Sequence, residues 1–83
     1  MDQLVILGVM VKEKEKQAIR LQEIFTKFGC SIKTRLGLNE LDIPEAGEAG
    51  LIILELMGDV EECGRLENEL LAIDGIKVRK MTF

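Results

Sequence analysis

One order of strand, helix and strand runs through this chain twice, and that repetition limits its folds more than any single residue does. Met1 to Leu38 reads strand, helix, strand, and Gly50 to Phe83 reads the same. In each half the helix breaks at a glycine followed by alternating residues: Phe28-Gly29-Cys30-Ser31-Ile32 in the first, Asp74-Gly75-Ile76-Lys77-Val78 in the second. Two βαβ units within 83 residues have one dominant packing, the split βαβ sandwich, because crossovers are right-handed and connections short. The expected architecture is α+β and ferredoxin-like. It has the element order βαββαβ, one antiparallel sheet in the order 4-1-3-2, and two helices on one face. Residues 1–83 form a single domain.

The strand patterns agree with that order. Leu4 to Val11 and Leu51 to Met57 are nearly continuous aliphatic runs, as strands covered on both faces are. They take the two central places. The other two strands alternate. Ile32, Thr34, Leu36 and Leu38 share one face, with Lys33, Arg35 and Gly37 on the other, outward face; Ile76 and Val78 oppose Lys77 and Arg79. Charged positions of this kind suit edge strands, where they discourage stray pairing.

Between the strands, Ala18, Leu21, Ile24, Phe25 and Phe28 mark one helical stripe, and Val60, Cys63, Leu66, Leu70 and Ile73 a second. Gly29 is the expected stop of the first helix. Asp59 is the expected N-cap of the second, with Glu61 and Glu62 in its favourable first turn. Cys63 falls on the buried stripe, so it reads as a small core residue, while Cys30 sits beside a turn. The connection Asn39 to Gly50 holds the only proline and four acidic residues, Glu40, Asp42, Glu45 and Glu48. It reads as a solvated loop or as a lid or partner-contact loop.

In a sandwich with both helices on one side, the other face of the sheet is open. The central strands nevertheless carry large aliphatic residues on both faces, and leaving three or four of them in water forfeits several kcal/mol at ~25 cal/mol per Å². A patch of that kind marks an interface. Chains this short bury only ~60% of their unfolded surface and need reinforcement. The expectation is a homo-oligomer joined through the sheet, with Leu7, Val9 and Ile53 as interface residues. Which face of the central strands is open is not decided by the pattern.

Several chemistries have no residues to carry them. There is no His, which removes His-assisted nucleophilic catalysis. The two cysteines lie far apart in sequence, so neither a metal site nor a disulfide framework is expected. No glycine-rich phosphate loop is present. A net charge of −4, with three Phe and neither Tyr nor Trp, argues against direct binding of nucleic acid. No apolar run reaches the ~20 residues of a membrane span. The expectation is a cytoplasmic protein that is not an enzyme and carries no cofactor.

The run Phe28-Gly29-Cys30-Ser31-Ile32-Lys33-Thr34-Arg35-Leu36-Gly37-Leu38, the acidic loop after it, and Leu71-Ala72-Ile73-Asp74-Gly75-Ile76-Lys77-Val78 carry a resemblance. Together they resemble the small ACT-like iron-only hydrogenase system regulators, which are similar in turn to the C-terminal domain of the nickel-responsive regulators. The resemblance covers almost the whole chain and implies a ferredoxin-like fold, oligomers built on the sheet, and a regulatory role. It does not carry over the nickel site, whose His ligands have no counterpart here. The charged turn Lys12-Glu13-Lys14-Glu15 also departs from the glycine-containing turn that amino-acid-binding ACT domains use.

The residues singled out for a ligand or partner site are Arg35, Gly37 and Asn39. Arginine presents a planar donor fork to a carboxylate or phosphate, a glycine beside it leaves room for close approach, and Asn39 adds a donor and an acceptor. The functional expectation is an oligomeric regulatory module that senses a small ligand. The rival is an interaction module that docks on a larger enzyme or transcription factor without a ligand of its own.

Overall fold

A computed structural model of the chain describes residues 4–12, 14–38 and 50–83. The described elements are β1 (Val5–Val11), α1 (Lys14–Lys27), β2 (Ile32–Leu38), β3 (Gly50–Leu56), α2 (Val60–Leu71) and β4 (Ile76–Thr82), with a 3-10 turn at Gly29–Ser31 between α1 and β2. The four strands form one antiparallel sheet in the order β2-β3-β1-β4. This is the ferredoxin-like βαββαβ sandwich, with the two aliphatic runs in the central places.

The pairing of β1 with β3 decides which residues meet the helices. Val5 pairs with Leu56, Leu7 with Leu54 and Val9 with Ile52. Leu7, Val9, Val11 and Leu54 are fully buried, and they join Leu21, Ile24, Phe25 and Phe28 of the first helical segment and Cys63, Leu66, Leu70 and Ile73 of the second in one core. Each fully buried aliphatic side chain contributes ~1.5–3 kcal/mol of transfer free energy. The alternate residues Ile6, Gly8 and Met10 of β1, with Leu51, Ile53 and Glu55 of β3, take the open face. Leu7 and Val9 therefore cannot be interface residues, contrary to the sequence expectation, because the helices cover them. Ile53 does lie on the open face.

Strand β2 departs from simple alternation. Ile32 pairs with Leu56, but Thr34 pairs with Glu55, so Lys33 is an extra residue, a β-bulge. Beyond the bulge the two faces exchange. Ile32 packs against the core, whereas Thr34 and Leu36 share the open face with Glu55 and Ile53, and Arg35 and Gly37 turn to the helix side opposite Leu54 and Ile52. The outward placement expected for Arg35 is thus reversed.

The helix ends follow local chemistry. Asp59 caps α2, its Oδ1 accepting the Glu61 N–H at 2.9 Å, with Glu61 and Glu62 in the first turn. Gly58 before it has φ +91° and Gly75 before β4 has φ +83°, backbone that glycine adopts without strain. Gly29 has no positive φ. It does not cap α1 in the left-handed form; the helix tightens instead into the 3-10 turn, with the Ser31 N–H on the Phe28 carbonyl at 2.9 Å. Two stripe positions differ from expectation. Ala18 is exposed, and Val60, at the first position of α2, is 62% exposed beside a small cavity at the rim of the core. Lys27 on α1 pairs with Glu69 on α2 at 2.7 Å, and Lys80 on the helix side of β4 reaches Glu67 at 3.3 Å. Among the described residues no helix is long and apolar enough to cross a membrane.

The Asp59 cap predicts a measurable share of stability. Asp59→Ala removes the acceptor of the Glu61 N–H and lowers the unfolding free energy by ~1 kcal/mol, read as a shifted midpoint in urea with an unchanged slope.

Candidate functional site

The exchange of faces at the bulge brings Arg35 and Gly37 under α1. The Arg35 guanidinium lies over the Phe25 ring, 5.0 Å from its centroid, a favourable cation–π position. Its Nη1 donates to Gln22 Oε1 at a long 3.5 Å. Arginine has five N–H donors in a fixed fork, and among the described residues this one weak contact is the hydrogen bond they make. The site therefore holds a charged fork set against an aromatic ring, its donors largely unengaged among the described residues.

A cavity of about 200 Å³ opens beside it, between α1 and the β2–β3 edge of the sheet. Val11, Leu21 and Ile52 form its apolar floor, while Gln22, Phe25, Arg35 and Gly37 line its side. Gly37 has no positive φ, and a Cβ built on it meets nothing within 4 Å. Among the described residues neither backbone strain nor crowding explains a glycine there; its effect is to leave the wall beside Arg35 open. The space exceeds the ~150 Å³ of a cavity that holds a benzene-sized molecule. A small ligand with one anionic group and a short apolar part matches the chemistry of the lining.

Of the residues singled out from sequence, Arg35 and Gly37 come together here, whereas Asn39 and the connection following it lie outside the described residues. Gln22 and Phe25 were missed as site residues. Phe25 stood on the core stripe, and nothing in the sequence flagged the extra residue at Lys33 that points Arg35 toward it. Ala18 belongs to the cavity mouth, which is why a residue on the apolar stripe is exposed.

The open face of the sheet is a second candidate surface. Its rows read Lys77–Met10–Leu51, Arg79–Gly8–Ile53–Leu36 and Met81–Ile6–Glu55–Thr34 across the strands. Leu36 is 54% and Met81 56% exposed. Glu55 accepts the Thr34 Oγ1 hydrogen at 2.9 Å and lies 4.0 Å from the Lys33 ammonium, so the acid on this face is already partnered.

Cys30 is exposed and Cys63 is buried, its Sγ 3.8 Å from the Met57 carbonyl. Burial first, then the carboxylates of Asp59 and Glu62, push the Cys63 thiol up from its ordinary range. Among the described residues no group of three or more His, Cys, Asp or Glu is placed to hold a metal ion.

No model of a known protein family matches the chain, and no curated protein matches it. Solved structures do. An uncharacterised protein from Thermotoga maritima is 25% identical, with a TM-score of 0.82 over 99% of both chains. A nitrogen regulatory PII-like protein from Thiomonas intermedia K12, solved with ADP, AMP and bicarbonate, is 15% identical, with a TM-score of 0.63 over 98% of this chain and 90% of the other. A dimeric ferredoxin-like protein from an uncultured marine organism is 7% identical, with a TM-score of 0.52 over 98% and 92%. The fold is shared with small ferredoxin-like and PII-like proteins. The latter two likenesses, at so low an identity, concern the fold alone.

The two thiols should separate in experiment. At pH 8 the native protein should take up one equivalent of iodoacetamide, at Cys30, and the second only in denaturant. Because the folded Cys63 thiol titrates above its unfolded value of ~8.5, its share of stability is complete below that pH and is lost as pH rises through the folded value. Unfolding free energy should therefore decline above about pH 8.5 in the parent chain, and less so in Cys63→Ala. Equal reactivity of both thiols in the native protein would contradict this placement.

Proposed function

We propose that this chain is a non-enzymatic regulatory module that works as an oligomer, joined through its open sheet face, and senses a small ligand beside Arg35. The observation that carries the reading is the cavity between α1 and β2, walled by a guanidinium fork held on the Phe25 ring and opened by Gly37. An anionic group on the ligand pairs with the fork, and its apolar part lies on Val11, Leu21 and Ile52. The PII-like neighbour, a regulatory protein solved with small ligands, supports a regulatory role for a sandwich of this form, and the dimeric neighbour supports association. On the sequence resemblance, the regulated system is that of an iron-only hydrogenase, in the cytoplasm.

The exposed apolar face favours one rival reading, a module that docks on a larger enzyme or transcription factor with no ligand of its own. Native mass spectrometry of protein purified from cells separates the two. A retained small molecule supports the sensor, and a co-purifying protein supports the docking module. With a ligand in hand, Arg35→Ala weakens binding by the ~1.5–3 kcal/mol of a charge-assisted hydrogen bond, about 10- to 150-fold, and leaves the oligomer intact because Arg35 is on the helix side. Dissociation of the oligomer by Arg35→Ala would make the residue an assembly contact and remove the sensor reading.

A further inference from the structure

Gly8 stands at the centre of the open face, in the middle of β1, and nothing among the described residues requires a glycine there. Its φ is not positive. A Cβ built on it would meet only the Arg79 carbonyl oxygen, at 4.0 Å, an ordinary contact. Glycine in a strand interior lowers stability and gives up a packing side chain; where crowding within the chain does not explain it, it marks close approach from outside. The result is a notch bounded along the strand by Ile6 and Met10 and across it by Ile53 and Arg79.

Ile53 is paired directly with Gly8, so a knob and a hole of matching scale lie side by side on the two central strands. We infer that two copies of this chain pack face to face about a two-fold axis running along the strands between β1 and β3, with Ile53 of each copy seated in the Gly8 notch of the other. This inference rests on the oligomer reading above and specifies its contact.

A two-fold interface is isologous: if residue i touches j, then j touches i. An axis along the strands sets the β1 row of one copy over the β3 row of its mate, which turns the neighbouring knob and hole into two reciprocal contacts. An in-plane axis across the strands through the same row would set Ile53 on Ile53 and leave notch over notch. The charges agree with the first arrangement. It carries the two basic flanks, Lys77 and Arg79 of each copy, to opposite edges of the dimer, over the β2 side of the mate, where Thr34 and Leu36 lie. The across-strand axis stacks the basic flanks on each other.

The size is adequate for a reversible dimer. Four strands of seven residues at about 4.8 Å spacing and 3.3 Å rise give a footprint of roughly 440 Å² per copy. Two copies bring about 900 Å² of footprint together. That is below the ~1,200 Å² low end of stable interfaces and in the range of weak, transient association.

The arrangement has a test that a general apolar patch would fail. Gly8→Leu fills the notch and Ile53→Ala removes the knob. By sedimentation at micromolar concentration, each variant alone should dimerise at least tenfold more weakly than the parent chain. Mixed in equal amounts, they should form a heterodimer within a few-fold of parent affinity. In that heterodimer the introduced leucine faces the space the truncated isoleucine has vacated, and the remaining Ile53 still meets a Gly8 notch. Native mass spectrometry should count that heterodimer well above the statistical half. If Gly8→Leu fails to fold by circular dichroism, Gly8→Ala mixed with Ile53→Ala gives the same readout. Heterodimer at or below the statistical fraction overturns the inference. If Ile53→Glu still dissociates the parent dimer in that case, the sheet-face oligomer survives without the notch. A parent chain that stays monomeric at tens of micromolar overturns both.

Discussion

The register of β1 against β3 is the constraint from which the rest of this molecule follows. Both strands are aliphatic throughout, so hydrophobicity alone does not choose which set of alternate residues meets the helices. The pairing of Val5 with Leu56, Leu7 with Leu54 and Val9 with Ile52 makes that choice once for both strands. A shift by one residue would move the whole inward set to the other face. With the register fixed, the stripes of the two helices have one surface to cover, and the opposite set, Ile6, Met10, Leu51 and Ile53, is left over. The core and the open face are two halves of one decision.

That decision also separates the two surfaces that matter for function. Alternate residues of β2 and β3 serve opposite sides: Arg35 and Gly37 wall the cavity under α1, while Leu36 and Ile53 look away from it. On the proposed reading, ligand and second copy occupy the two sides of the same pair of strands, one residue apart. A change in the twist of β2 on closing around a ligand would then be felt at Leu36, without any longer path through the core.

The architecture was legible because it depends on order and periodicity. The doubled βαβ pattern, the two continuous aliphatic runs and the two charged alternating ones give the sheet order; Asp59 gives its cap. Faces were harder to read. Leu7 and Val9 were expected on the interface and are in the core, because a strand apolar on both sides carries no local mark of which side is covered. Arg35 was expected outward and lies against Phe25, because a bulge breaks the period of two and Lys33 looks like any other strand residue. Gly29 was expected to stop the first helix and stands just past its end, where the chain enters a 3-10 turn. Arg35 and Gly37 were recognised as a pair from their chemistry. Their neighbours Gln22 and Phe25 were not, since that proximity is long-range.

The bulge at Lys33 has a consequence for how such a chain can diverge. Removing that one codon would leave a regular ladder with every later residue of β2 on the face it already holds, Thr34 opposite Glu55 and Arg35 opposite Leu54. Keeping Lys33 but drawing it into the ladder would do the reverse: Arg35 and Gly37 would turn to the open side, and Thr34 and Leu36 would enter the cavity wall. Ironing out the bulge would thus replace a cationic, roomy wall with a hydroxyl and an isobutyl group, and set a guanidinium on the exposed sheet, with no residue of β2 exchanged. Related sandwiches that differ in a bulge of the second strand need not share a ligand or an assembly, however well their backbones superpose.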